Sequence, residues 1–241
     1  MSESTPHYLP VAVLLLLGTM FAVGASFLVL LYGLARRSKP VSRFGASVAA
    51  SLIVGYLSVL CGVSLWGKEK ALPLDGWKYF CEVNRHIAYS VSGVSQAGVI
   101  LGPGGERTLA QGQGYFVVVN VNTWIDEKTT SQHRGNSPLT PGERAITLID
   151  DSGHRYRRTS AGESAFASAV GFSTPFGQPL RPGESYTTRM VFEIPRNSEP
   201  RCLLIADPDK DWMDRLLIGH ENSFLHKKIY LDFHPSSIEA E

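Results

Sequence analysis

The sequence predicts a mainly β protein in two parts, an N-terminal two-helix transmembrane hairpin and an antiparallel β-sandwich after it. Three observations lead to this prediction. Two long stretches, 8–35 and 44–67, contain no charged residue. A short cluster of basic residues separates them. The rest of the chain alternates apolar and polar residues between Pro-Gly turns, a pattern typical of half-buried antiparallel strands.

Length and charge restrict the classes of function. The chain has 241 residues, with 23 Lys and Arg against 22 Asp and Glu. This balance, 44% apolar residues and only three cysteines exclude a disordered chain, a strongly basic nucleic-acid-binding protein and a disulfide-dense miniprotein. Nucleic acid is therefore not an expected partner. A lipid bilayer is an expected partner because of the two charge-free stretches.

Each charge-free stretch is long enough to cross a membrane, because about 20 helical residues span a hydrocarbon core of about 30 Å. We predict helices at about 9–34 and 45–66 in a hairpin-and-stem region, 1–75, and a β domain at 76–241. A cleaved signal peptide is the alternative for the first stretch. It needs a basic start, however, and residues 1–7 contain Glu3 and no Lys or Arg.

The segment between the helices predicts the orientation. It contains four basic residues, Arg36, Arg37, Lys39 and Arg43, while the flank before the first helix contains no Lys or Arg. Basic loops remain in the cytoplasm. We therefore expect a multi-pass protein of the cell (inner) membrane with both termini extracytoplasmic.

Small residues recur every four positions on both predicted helices. They are Gly18, Ala22 and Ser26 on the first helix, and Ser47, Ser51 and Gly55 on the second. This spacing lets helix backbones approach closely. The small residues either pack the hairpin together, the interpretation we favour, or form a docking face for another membrane subunit.

Alternation predicts the strands of the β domain. The clearest is 185–194, with its apolar face formed by Tyr186, Thr188, Met190, Phe192 and Ile194. Other strands are expected at 83–91, 114–124, 146–150, 203–206 and 229–233. Two near-identical Pro-Gly turns, 139–143 and 180–184, each precede a strand, and 151–154 suits a hairpin loop. Segment 207–219 is predicted as a short helix or an irregular excursion.

The order of these motifs resembles a known family. A Val-rich strand containing Asn120, the strand and hairpin 146–153, the turn 180–184 and the strand ending at Pro195 are similar to the immunoglobulin-like extracellular domain of unknown function found on bacterial lipoproteins and membrane-anchored proteins. The resemblance covers about 110–207. It implies an immunoglobulin-like sandwich and no catalytic residues. Family members usually have a single N-terminal anchor, from which the predicted hairpin departs.

The cysteines outside the predicted helices suggest a possible bridge. Cys81 and Cys202 lie on the extracytoplasmic side of the predicted topology, where disulfides form. The motif from Cys81 to His86 also contains a thiol and an imidazole, two groups that bind copper. Five residues along one strand would direct these two side chains to opposite faces, and no His or Met closely follows Cys202. No metal or cofactor is therefore expected.

We expect a non-enzymatic, membrane-anchored extracytoplasmic module that contacts a membrane or extracytoplasmic protein as an accessory subunit. The alternative is a metal- or redox-handling accessory subunit of an electron-transfer membrane complex. A hydrolase has only scattered Asp and His residues to support it.

Overall fold

A computed structural model describes residues 2–3, 9–67, 69–82, 85–110, 114–130, 135–209 and 212–233. The chain divides into two compact units. One combines residues 1–4, Glu69–Pro208 and 228–241, and the other combines Thr5–Lys68 with Asp209–Lys227. These units differ from the predicted division at residue 75, because the predicted stem joins the β domain and Asp209–Lys227 joins the helices.

Two long helices dominate the second unit. Helix α1 spans Leu9–Ala35 and α2 spans Lys39–Trp66. Both are long and apolar enough to cross a membrane. Helix α2 begins six residues earlier than predicted, since Pro40 occupies its first turn, where a missing N–H costs nothing. Of the basic residues, Arg36 and Arg37 therefore form the connection, while Lys39 and Arg43 belong to α2.

The contact between these helices uses a different set of residues from the predicted one. A Cβ on Gly45 would lie 2.7 Å from the Leu30 nitrogen and 3.0 Å from the Ser26 carbonyl oxygen. Ser26 is buried in this contact as predicted, and Ala22 is half-buried. The remaining predicted positions are exposed, namely Gly18, Ser47, Ser51 and Gly55. Ser47 lies two residues from Gly45, about 200° around the helix, and so faces the opposite side.

The first unit is a β-sandwich of two five-stranded sheets. Sheet A has the order β1-β3-β4-β7-β10 and sheet B has the order β2-β12-β11-β8-β9, with β5 and β6 forming a separate hairpin. The strands are β1 (Ser2–Glu3), β2 (Lys70–Leu72), β3 (Lys78–Glu82), β4 (Arg85–Ala97), β5 (Val99–Leu101), β6 (Arg107–Leu109), β7 (Tyr115–Ile125), β8 (Ala145–Asp150), β9 (Arg155–Tyr156), β10 (Ser185–Ile194), β11 (Pro200–Ala206) and β12 (Ile229–Asp232). Pairing is antiparallel except for two edge pairs, β1 with β3 and β2 with β12.

The core lies between the two sheets, as the alternation predicts. The inward residues of β10 are Thr188, Met190, Phe192 and Ile194, all buried, and Tyr186 packs against the same core. Strand β7 contributes Val117, Val119 and Val121, and β4 contributes Ile87, Tyr89 and Val91. Val83, the first inward residue of the predicted strand 83–91, lies outside the described residues.

One helix of the sandwich was not predicted. Helix α3, Ser160–Val170, covers the outer face of sheet A, where Phe116, Val118 and Val191 are buried against it. The described part of segment 207–219 contains turns and no regular helix, which matches the predicted irregular excursion and not the short helix. The two Pro-Gly turns also differ, because Gly183 adopts a φ of 84° whereas Gly142 has no positive φ.

A buried lysine links the two sheets. Lys78 of β3 is fully buried, and its ammonium donates hydrogen bonds to the carbonyls of Ile205 and Ile229 on sheet B. The Phe80 ring lies 4.9 Å from this ammonium and 4.4 Å from the Arg144 guanidinium, which pairs with Asp207 at 2.7 Å. Buried cations need such partners, since isolated charges are costly to desolvate.

Candidate functional site: a charged groove on sheet B

A groove of about 650 Å³ lies on the outer face of sheet B, within the usual size range of binding pockets. Its floor follows one cross-strand row, in which Asp232, Cys202, Ile149 and Arg155 are successive neighbours on β12, β11, β8 and β9. The charged residues that line the groove are four carboxylates and two guanidiniums: Glu69, Asp150, Asp151, Asp232, Arg155 and Arg201. The groove is therefore acidic by formal charge.

Asp150 is the most constrained of these carboxylates. It is 1% exposed, and it accepts hydrogen bonds from the His154 N–H at 2.7 Å and from the Tyr156 hydroxyl at 2.8 Å. Burial by itself raises the pKa of Asp150, but the hydrogen bonds from Tyr156, His154 and Ser198 outweigh it and hold the pKa below the ordinary value. This carboxylate is therefore ionised at neutral pH and closes the β8–β9 hairpin.

Cys202 forms part of the apolar floor. It is 7% exposed and packs with Ile149, Leu204 and Tyr230, whereas Leu203 and Ile205 point into the core. Burial, reinforced by Asp232 and opposed by Arg201, raises the pKa of the Cys202 thiol to about 11. The thiol is therefore protonated at neutral pH and is a poor nucleophile and metal ligand.

The predicted bridge between Cys81 and Cys202 is not confirmed. Cys202 is a free thiol in this structure, and the side chain of Cys81 lies outside the described residues. The backbones of the two cysteines belong to different sheets, β3 of sheet A and β11 of sheet B. Cys202 lies on the outer face of sheet B and points away from sheet A, whereas a bridge between packed sheets needs both side chains to point inward.

The prediction that Cys81 and His86 point to opposite faces of one strand is wrong. They do not lie along one strand, because the chain reverses between Glu82 and Arg85 and pairs Cys81 directly opposite His86 on β3 and β4. Their separation along the sequence therefore does not send them to opposite faces. Across the described residues, no three His, Cys, Asp or Glu side chains gather in a group that could hold a metal ion.

The acidic residues that follow β11 form ion pairs with arginines. Asp207 pairs with Arg144 at 2.7 Å, and Asp209 pairs with Arg215 at 2.7 Å. Asp211 lies outside the described residues. The two described carboxylates therefore each neutralise a cation.

A second groove, of about 400 Å³, lies beside α3. The charged groups that line it interact with other residues of the groove. Arg158 donates two hydrogen bonds to Glu163, and the Arg189 guanidinium lies 5.2 Å from the Phe166 ring. Phe172 on its rim is 95% exposed. The sequence contains a signal for α3 that could have led to this groove, namely Thr159, a residue type that favours the N-cap position, ahead of an alanine-rich stretch.

Comparisons with known proteins yield only weak structural similarity. No family model matches the chain, and no curated protein matches its sequence. A conserved hypothetical protein from Bacillus anthracis has a TM-score of 0.39 and 15% identity, covering 60% of this chain and 93% of that one. The secreted protein MPT63 from Mycobacterium tuberculosis has a TM-score of 0.40 and 14% identity, covering 68% and 98%. An uncharacterized β-sandwich protein from Clostridium difficile has a TM-score of 0.38 and 10% identity, covering 70% and 96%.

Proposed function

We propose that this protein is a membrane-anchored, extracytoplasmic β-sandwich module that acts by contact with another protein and has no catalysis of its own. The observation that carries the proposal is the surface of the helices. Large apolar side chains are exposed along both of them, among them Phe21, Leu28 and Leu34 on α1 and Phe44, Val54 and Leu65 on α2. Water disfavours a continuous apolar surface of this size, whereas lipid solvates it.

The positions of the basic residues indicate how this anchor is oriented in the membrane. The connection between the helices and the first turns of α2 contain Arg36, Arg37, Lys39 and Arg43, so the positive-inside rule assigns this end of the hairpin to the cytoplasm. The chain segments before α1 and after α2 then begin on the extracytoplasmic side. The sandwich follows α2 directly, at Glu69.

The titratable groups of the groove support a binding role over a catalytic one. Catalytic carboxyls usually have raised pKa values and catalytic thiols lowered ones. Asp150 and Cys202 are shifted in the opposite directions. Because carboxylates outnumber guanidiniums in the groove, we propose that it receives a basic surface of an extracytoplasmic partner.

We also infer that the sandwich is of the immunoglobulin-like extracellular type. The turn at Gly183 precedes β10, and β10 ends before Pro195, in the order that the family resemblance implies. The hairpin anchor and the parallel edge pairs β1–β3 and β2–β12 distinguish this chain from a simple antiparallel version of that fold.

Cysteine accessibility tests the topology. Ser38→Cys lies between the helices and Ser152→Cys lies in an exposed loop of the sandwich. In intact cells, a membrane-impermeant maleimide should label Ser152→Cys, and it should label Ser38→Cys only after permeabilisation, both relative to the unmodified chain. Labelling of Ser38→Cys alone in intact cells would overturn the orientation.

Photocrosslinking tests the partner contact in the same membranes. A photoreactive residue at Arg155, on the groove, should form a discrete adduct, while one at Arg107, on the separate β5–β6 hairpin, should not. Reversing the charge of the groove with Asp151→Lys should abolish the adduct. An adduct that is unchanged by Asp151→Lys would exclude the groove as the contact surface.

A further inference from the structure

The segment Asp209–Lys227 belongs to the same compact unit as the two helices. Leu217 is 8% exposed and packs with Ala12 and Leu16 of α1. The Tyr56 hydroxyl of α2 donates a 2.7 Å hydrogen bond to the carbonyl of Leu216. The segment therefore lies along the half of the hairpin that is remote from the basic connection.

A second contact extends this docking toward the end of α2. The hydroxyls of Ser64 and Ser223 lie 3.3 Å apart, and both side chains are buried. Tyr56 and Ser64 are eight residues apart on α2, a distance of about 12 Å along the helix. The segment thus contacts α2 over more than two turns.

The side chains of this segment expose large apolar groups and bury several polar ones, while the Arg215–Asp209 ion pair and Lys227 are exposed as well. Trp212, Met213, Phe224 and Leu225 are between 43% and 62% exposed. The buried residues are mostly polar, namely His220, Glu221 and Ser223. An apolar surface of this kind beside buried polar groups is expected for the part of an element that contacts lipid.

The position of Tyr56 along α2 gives the depth. Arg43 is the last charged residue of α2, so the apolar span begins at Phe44. Residues 44–55, between this point and the docked segment, extend only about 18 Å at 1.5 Å per residue. The hydrocarbon core is about 30 Å thick. If α2 spans the core, Leu216 and Leu217 therefore lie below its outer surface.

We propose that residues 212–227 form a membrane-embedded segment, which lies in the outer leaflet beside the helices. Its lipid-facing residues are Trp212, Met213, Phe224 and Leu225. The partner of this surface is the acyl region of the bilayer. This inference rests on the proposed function, because it requires the two helices to span the membrane.

Tryptophan quenching in vesicles tests the inference with the full chain. The protein is reconstituted in phosphatidylcholine–phosphatidylglycerol vesicles with ordinary or brominated acyl chains, and the drop in emission per molecule is compared. The four tryptophans include Trp66 at the end of α2, Trp212 in the segment and Trp124 in the sandwich. The variants are Trp66→Phe, Trp212→Phe and the matched control Trp124→Phe.

Trp212→Phe should remove about half of the drop, because two of the four tryptophans of the unmodified chain, Trp66 and Trp212, contact lipid in this proposal. Trp124→Phe should leave the drop unchanged, and adding Phe224→Trp to Trp212→Phe should restore it. Quenching that depends on Trp66 but not on position 212 or 224 would overturn the embedded segment and leave the anchor intact. A chain with no quenching at all would overturn the anchor, and with it the embedded segment.

Discussion

Asp150 is a buried, charged residue that stabilises the β8–β9 hairpin through its hydrogen bonds. Its two carboxylate oxygens accept hydrogen bonds from the His154 N–H, just before β9, and from the hydroxyl of Tyr156, the last residue of β9, so both ends of β9 are bonded to one side chain of β8. Hydrogen bonds to an ionised group are stronger than neutral ones, and they offset the cost of removing the charge from water.

Asp150→Asn should lower the free energy of unfolding by about 1–3 kcal/mol, because the amide cannot accept at both oxygens and the charge-assisted bonds are lost. Asp151→Asn, at an exposed neighbouring carboxylate, should change the stability much less. Chemical denaturation of the reconstituted chain, followed by tryptophan emission, measures both. Equal losses in the two variants would contradict the structural role of Asp150.

The lowered pKa of Asp150 also predicts a pH dependence. A carboxyl whose pKa is lower in the folded state stabilises the fold above the unfolded pKa of about 4, and this contribution disappears as the pH falls through the lowered folded value. Asp150→Asn should therefore reduce the amount by which the free energy of unfolding falls at low pH. If the free energy of unfolding falls at low pH as much in this variant as in the unmodified chain, other carboxyls cause the fall.

Cys202 should be inert to alkylation at neutral pH. Burial raises its pKa to about 11, so the thiolate fraction grows by about tenfold per pH unit up to that value. Mass spectrometry of the peptide containing Cys202, after brief iodoacetamide treatment from pH 7 to 10, measures this rise. Rapid labelling at pH 7, or recovery of Cys202 in a disulfide, would contradict the free buried thiol.

At the scale of elements, the helix pair depends on two close backbone contacts. A Cβ on Gly33 would meet the Ser42 nitrogen at 2.5 Å, and one on Gly45 would meet the Leu30 nitrogen at 2.7 Å. Neither neighbour is a flexible side chain, so an added methyl group has to push the helices apart. Gly55 has nothing within 4 Å of such a Cβ.

Gly45→Ala should therefore destabilise the helix pair by about 1–3 kcal/mol through overpacking. Gly55→Ala should not, and its better helix propensity adds slightly to the stability. Thermal unfolding of the reconstituted chain, followed by circular dichroism, compares the two variants. A larger loss of stability with Gly55→Ala than with Gly45→Ala would instead support the contact face predicted from the sequence, which includes Gly55.

The sequence around α3 predicts a helix but not the surface that this helix covers. Thr159 accepts a hydrogen bond from the Gly162 N–H, and the alanines that follow favour a helix. The sequence contains these signals, but nothing in it states which surface α3 covers. That surface is the outer face of sheet A, where Val118 and Val191 alternate with core residues and would otherwise contact water.

At the scale of the whole molecule, the sequence separates apolar helices from alternating strands, and the compact units of the fold divide at Glu69. Period-two alternation predicts the inward faces of β4, β7 and β10, because each strand exposes one side to the core. The groove was not predicted from sequence, since Asp232, Cys202 and Ile149 come from three strands that are distant in the chain. Their meeting depends on strand order, which alternation does not encode.

By itself, the sequence determined the two long apolar helices, the basic connection between them and the inward faces of the strands. These follow from hydropathy and periodicity, which are local properties of the chain. Only the tertiary structure decided that Gly45 rather than Gly55 meets α1, that Cys202 is a free thiol in a charged groove, and that Asp209–Lys227 packs with the helices. Each of these depends on which residues meet across long separations in sequence, and packing and strand order decide that.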